Sequence, residues 1–166
     1  MDKNTLFEKE IKKYKNNEKW ENSRFEGIKT LSNTHIGEIG QNYIYKLCKD
    51  LKLKAEPSKT KGSWDIKIEG IKFEIKTATE DTNKNFQFNH IRYHREYDGV
   101  ICLGVAPNFL YFNIWTKAEL STKKAGTLVS MEKQANASYK LTKKATELHP
   151  IDCFDDKIRQ FICNFE

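Results

Sequence analysis

Trp64 to Thr77 reads WDIKIEGIKFEIKT, and this stretch decides the fold. Apolar and polar residues alternate with period two on both sides of Glu69-Gly70. That period predicts strands, and two such runs around a glycine turn predict a β-hairpin. With Glu69 and Gly70 as the loop, Ile68 pairs with Ile71, Lys67 with Lys72, and Asp65 falls opposite Glu74. Trp64, Ile66, Ile68, Ile71, Phe73 and Ile75 share one face and can enter a core. Asp65, Lys67, Lys72, Glu74 and Lys76 share the other. Carboxylates directly opposed on a sheet repel each other. A fold that keeps Asp65 and Glu74 together therefore calls for a cation between them.

Lys76 lies two residues beyond Glu74 and points to the same side. An Asp, a Glu and a Lys thus converge on one patch of a rigid hairpin. Paired carboxylates suit a hard divalent ion such as magnesium, which takes oxygen ligands and keeps several waters. A lysine beside them can position or deprotonate a water, or stabilise charge developing on a phosphate. The same pattern on a plain surface hairpin would be a solvated charged face, so the flanks carry weight.

Composition bounds the possibilities. The chain has 166 residues, 38% of them apolar and 12% aromatic, enough for one domain with a real core rather than a disordered segment. The net charge of +6 favours a polyanionic partner without requiring one. No apolar run approaches membrane-spanning length and the N-terminus lacks an apolar signal core, so a cytoplasmic protein without membrane contact is expected. Cys48, Cys102, Cys153 and Cys163 lack C-x-x-C spacing. They read as reduced thiols, with no zinc signature.

Working outward from the hairpin, residues 34–51 carry helical periodicity, with Thr34 as a possible N-cap. Gly37 and Gly40 in that helix suggest close backbone packing. Residues 3–18 read as a charged helix with a weak stripe of Leu6, Phe7, Ile11 and Tyr14. Residues 19–33 read as a polar connection. Leu53–Pro57 is a short strand candidate, and Ser58–Gly62 is a basic loop leading into the hairpin. Residues 86–96 are ambiguous. Val100–Val105 is a continuous apolar run that predicts a buried central strand. Phe109–Trp115 predicts a further strand, followed by a short helix over 117–121. Residues 123–138 read as loop, 139–147 as a short strand or helix, and 155–165 as a terminal helix. The order predicts an α/β fold with a mixed sheet.

Asp65, Glu74 and Lys76, with Trp64-Asp65 in place of Pro-Asp and Glu74-Ile75-Lys76 as the E-x-K, resemble the PD-(D/E)XK nuclease superfamily. Glu38, in HIGEIGQ, stands where relatives carry a helical glutamate directed at the metal. Relatives commonly read G-x-x-G-E, which would place the acid where this chain has Gln41. Either residue can approach the site, because positions three apart share a helix face. FQFNHIR, followed by Tyr97-Asp98 and the apolar strand, resembles the corresponding region of small type II restriction endonucleases. The resemblance covers about residues 35 to 116.

The resemblance implies a restriction-endonuclease-like mixed β-sheet flanked by helices, in a single nuclease domain over 1–166. Residues 1–33 would be a helical extension, 34–122 the catalytic core and 123–166 a C-terminal segment. It implies a magnesium-dependent, sequence-specific endonuclease on double-stranded DNA that leaves 5′-phosphates, with manganese able to substitute. Asp65, Glu74, the Ile75 carbonyl and Glu38 would hold metal, Lys76 would act on the water, and Gln87 would join the site. Lys59, Lys61, His90, Arg92, His94 and Arg95 are candidate DNA contacts. His90 and His94 are four apart, a spacing that binds zinc on a helix, but no HExxH context supports it. Lys123 and Lys124 read as solvated charges. One site per chain implies a homodimer to cut both strands. A restriction role implies a cognate DNA methyltransferase. Two other readings stay open: a structure-specific nuclease such as a Holliday-junction resolvase, and a non-catalytic DNA-binding domain of the same fold.

Overall fold

The computed structural model describes residues 2–13 and 18–165. In chain order the elements are α1 (Lys3–Lys13), α2 (Asn33–Asp50), β1 (Ala55–Pro57), β2 (Ile66–Ile68), β3 (Ile71–Thr79), β4 (Asn85–Ile91), β5 (Gly99–Val105), β6 (Leu110–Thr116), α3 (Lys117–Ser121), β7 (Leu128–Glu132), β8 (Ser138–Lys144), β9 (His149–Pro150) and α4 (Phe154–Asn164). The fold is α/β. A six-stranded mixed sheet runs β1-β2-β3-β5-β6-β9, and a second, antiparallel sheet runs β4-β8-β7.

The β2–β3 hairpin has the register its turn demands, with Ile66 opposite Phe73 and Ile68 opposite Ile71. Glu69 and Gly70 both adopt positive φ, the geometry of a tight two-residue hairpin loop. Strand β5 lies parallel to β3, and all seven of its residues are buried. That is why its sequence is uniformly apolar rather than alternating.

One face of the large sheet packs against α2 and α4. Ile66, Ile68, Phe73, Ile75 and Ile101 meet Ile44 and Cys48 of α2 and Phe154 and Ile158 of α4. The resemblance implies helices flanking the sheet; on the opposite face the main cover is instead the second sheet. Phe86, Phe88 and Leu141 from that sheet, with Leu120 of α3, pack on Val100 and Cys102. The link from β3 to parallel β5 accordingly runs through a strand, β4, where a helix is the usual crossover.

Several local expectations change. Ser32, not Thr34, caps α2, because its hydroxyl reaches the His35 N–H. Residues 128–132 are a strand rather than loop, and the short strand or helix expected over 139–147 is a strand over 138–144. The connection 19–33 contains two 3₁₀ turns, Glu18–Trp20 and Glu26–Thr30, and Trp20 is buried. Helix α1 is described over Lys3–Lys13, with 14–17 of the expected helix outside the described residues, and Leu6, Phe7 and Ile11 of its stripe are exposed. Tyr14 lies outside the described residues. Trp64 does not join the Ile66 face: the chain bends at Asp65, and the indole packs toward the two-sheet core. Cys48 and Cys102 are buried and all four cysteines are free thiols; burial pushes the Cys48 thiol up to about 12. Among the described residues, no helix is long and apolar enough to cross a membrane.

Candidate active site

Strand β3 has nine residues and its partner β2 has three. The hairpin ladder stops at Ile66–Phe73, so beyond that point β3 has β5 on one side and no described strand on the other. Asp65 closes the last rung. Its N–H donates to the Phe73 carbonyl at 2.9 Å, and its Oδ2 accepts the Ile75 N–H at 2.7 Å. Asp65 therefore does not face Glu74 as a ladder partner; its carboxylate is turned onto the backbone of β3. The N–H and C=O of one strand residue project to the same side. The Ile75 carbonyl thus faces the same open edge as Asp65.

Glu74 is 1% exposed. Its Oε1 receives Lys76 Nζ at 2.9 Å and Arg95 Nη1 at 3.2 Å. Its Oε2 is buried with no hydrogen-bond partner among the described residues. Burial pushes the Asp65 carboxyl above the usual Asp range, against the pull of the Ile75 N–H and the charges of Lys76 and Arg95. Tyr97 packs close by, its phenol raised first by burial and then by Glu74. Lys117 holds the Arg95 carbonyl and lies over the Tyr97 ring, which fixes the turn that delivers Arg95.

These groups border a cavity of about 480 Å³ along the open edge of β3. Asp65, Glu74, Ile75, Lys76, Gln87, His90 and Arg95 all line it. So do Asn33, Gly37 and Gln41, four residues apart on α2. The close seating of α2 depends on Gly40, where a Cβ would overlap the Thr77 side chain. Gly37, by contrast, faces open space.

A second cavity, of about 770 Å³, adjoins the first and shares Asn33, Gly37, Gln41, Asp65 and Arg95 with it. Glu38, Lys59 and Lys61 line this second space. Of the two α2 candidates, Gln41 borders Glu74's cavity and Glu38 does not.

The remaining candidates have other partners. Gln87 Nε2 donates to Asp81 Oδ2 at 2.9 Å. Burial pushes the Asp81 carboxyl up, but hydrogen bonds from Asn85, Gln87 and Asn83 and the Lys19 charge outweigh it and hold it below the usual range. His90 sits at an irregularity of β4 with φ of 57°, its Nδ1 2.8 Å from Glu132 Oε1. Arg92 also binds Glu132. His94 is exposed in the following turn. Neither Arg92 nor His94 lines either cavity. His90 and His94 belong to a strand and a turn, so their spacing does not align them as on a helix. Sequence reasoning did not single out Asn33, Asn89 or Asp81, which border the first cavity; the four-residue repeat Asn33-Gly37-Gln41 was the available signal.

Among the described residues, no three His, Cys, Asp or Glu side chains are grouped to hold a metal. The donor set is two carboxylates and a backbone carbonyl, with Glu74 Oε2 unclaimed. That set fits magnesium, which binds through one or two carboxylates and keeps waters; it does not fit zinc. No protein-family model matches this chain, and no curated protein sequence does.

Proposed function

We propose that this protein is a divalent-metal-dependent endodeoxyribonuclease of the PD-(D/E)XK type. One observation carries the reading: Asp65, Glu74 and Lys76 border a single cavity, and Glu74 is buried there with one oxygen unpartnered. An unsatisfied buried carboxylate oxygen costs stability. A binding module has no use for that cost and would place acid where phosphate must approach. A metal-dependent hydrolase uses it.

Asp65, Glu74 and the Ile75 carbonyl would hold magnesium, with manganese as a substitute, and Gln41 stands nearest to complete the set from α2. The metal supplies Lewis-acid polarisation of the phosphate. Lys76 orients the attacking water and offsets charge developing on the phosphate. Arg95, anchored on Glu74 and bordering the same cavity, would meet a phosphate oxygen. Lys59 and Lys61 hold the backbone on the far side of Asp65. The mixed sheet, with α2 over one face and the hairpin carrying the acids, supports a restriction-endonuclease-like fold.

Sequence-specific cleavage of duplex DNA to 5′-phosphates, by a homodimer beside a cognate methyltransferase, is the restriction form of this reading. A structure-specific nuclease is the second form, and the aromatic lining of the adjoining cavity favours it.

Purified protein incubated with unmethylated phage DNA, with and without magnesium, tests the reading. Discrete magnesium-dependent bands support restriction. Cleavage confined to branched or gapped substrates supports the second form. Asp65→Ala and Lys76→Ala each lower the cleavage rate by about 10²–10³ or more while melting cooperatively. Wild-type rates in either variant sink the site assignment.

A further inference from the structure

The cleft does not end at the carboxylates. Beyond Asp65 it opens into the second cavity, whose volume of about 770 Å³ is that of a small-ligand site. Tyr45 of α2 and Trp64 border this space, and both also border a trough alongside it. Each ring is half-buried. Tyr45 is rooted in the core under α2 and Trp64 in the two-sheet core, and each reaches the cavity with what remains exposed. Lys59 and Lys61 are exposed on the loop that closes the same space. Lys67 Nζ stands 5.1 Å over the Trp64 ring.

Lysines alone would suit any anion. Two aromatic side chains beside them select an anion that also has a flat π face, and the Asn42 amide can meet its polar edge. In a stacked duplex the neighbouring bases cover that face, so it is free only in an unpaired or extruded base.

We propose that this cavity holds one unpaired nucleotide of a DNA strand, next to the phosphate that lies over Asp65 and Glu74. The base lies against Trp64 and Tyr45, and Lys59 and Lys61 take its phosphates. The choice of DNA rests on the nuclease reading. The consequence for substrate class is specific: the strand that is cut is single, gapped, branched or locally unstacked at the site.

Tryptophan fluorescence tests this without any cleavage. Trp20 and Trp115 are 2% and 6% exposed, which leaves Trp64 as the accessible reporter. The full chain, in chelator, is titrated with a short oligothymidylate, a duplex of equal length, and an abasic oligonucleotide carrying the same phosphates. Expected are quenching by the oligothymidylate and little quenching by the other two; anisotropy of a fluorescein-labelled oligothymidylate, which does not need the indole, reads about tenfold weaker binding by Trp64→Leu. Trp64→Phe keeps a ring and loses less than about threefold. Tyr45→Leu is the second probe should Trp64→Leu fail to fold. Equal binding of the abasic strand overturns the proposal, as does wild-type affinity in the leucine variants. Base-selective quenching in a protein that never cuts keeps this site and sinks the nuclease reading. Cleavage without such quenching does the reverse.

Discussion

Glu74 is almost wholly removed from water, and its charge is met by two cations on one oxygen while the other oxygen has no partner among the described residues. On the proposed reading, the partnered oxygen serves folding and the other would take the metal. Asp65 has the opposite history. Burial acts on it first and raises its pKa, and the nearby cations only moderate the effect. The stability Asp65 allows is therefore complete below the ordinary Asp range and is lost as pH rises through the raised value. At pH 7 without divalent metal, Asp65→Asn should melt higher than the wild type, with the gap closing as pH falls below the ordinary Asp value. Thermal melts across that range check this. A lower melting temperature for Asp65→Asn at pH 7 would mean that Lys76 and Arg95 outweigh burial.

Among the elements, the site depends on an approach of helix to strand. Gly40 lets α2 lie directly on Thr77, and that contact brings Gln41 to the cavity. Gly40→Ala should cost about 1–3 kcal/mol by overpacking and should slow cleavage although it touches no carboxylate. Urea unfolding and the DNA assay read the two effects separately. The hairpin was legible because one face is buried and the other is charged, so period two survives in the sequence. Val100–Val105 was legible because burial on both faces leaves nothing but apolar side chains. Strand β7 was not, and β8 was only partly so, since residues 139–147 read as a short strand or helix. In β7 no residue is fully buried, and in β8 only Ser138 and Leu141 are. Irregularities at Ser130/Glu132 and Phe88/Ile91 break what alternation remains. Of the site, Glu74 and Lys76 could be read from the period-two pattern of β3, whereas Asp65, expected on the rung opposite Glu74, lies past the last rung with its carboxylate on the Ile75 N–H. Which of Glu38 and Gln41 borders the Glu74 cavity could not be read, since it depends on how α2 packs, nor could the placement of Trp64, which depends on a bend one residue before β2.

For the whole molecule, the net charge of +6 makes salt dependence the natural probe of DNA contact. Lys59 and Lys61 are exposed at the cleft mouth, whereas Arg92 is engaged by Glu132. Replacing both lysines with alanine should reduce the slope of log Kd against log salt by about 2. Arg92→Ala should leave that slope nearly unchanged. Fluorescence anisotropy over a salt series measures both.

The excursion of the chain from β3 through β4 and back into β5 limits how the protein can be divided. Among the described residues strand β4 pairs only with β8, some fifty residues later, so the strand that borders the cavity at the open edge of β3 is held by the far end of the sequence. No shorter folded unit that keeps the β2–β3 hairpin can be excised from this chain. A fragment ending at residue 122 would leave Phe86 and Phe88 without Leu141, and it should precipitate or bind apolar dye rather than cut DNA slowly. Any redesign that moves this hairpin to another scaffold has to carry both sheets with it.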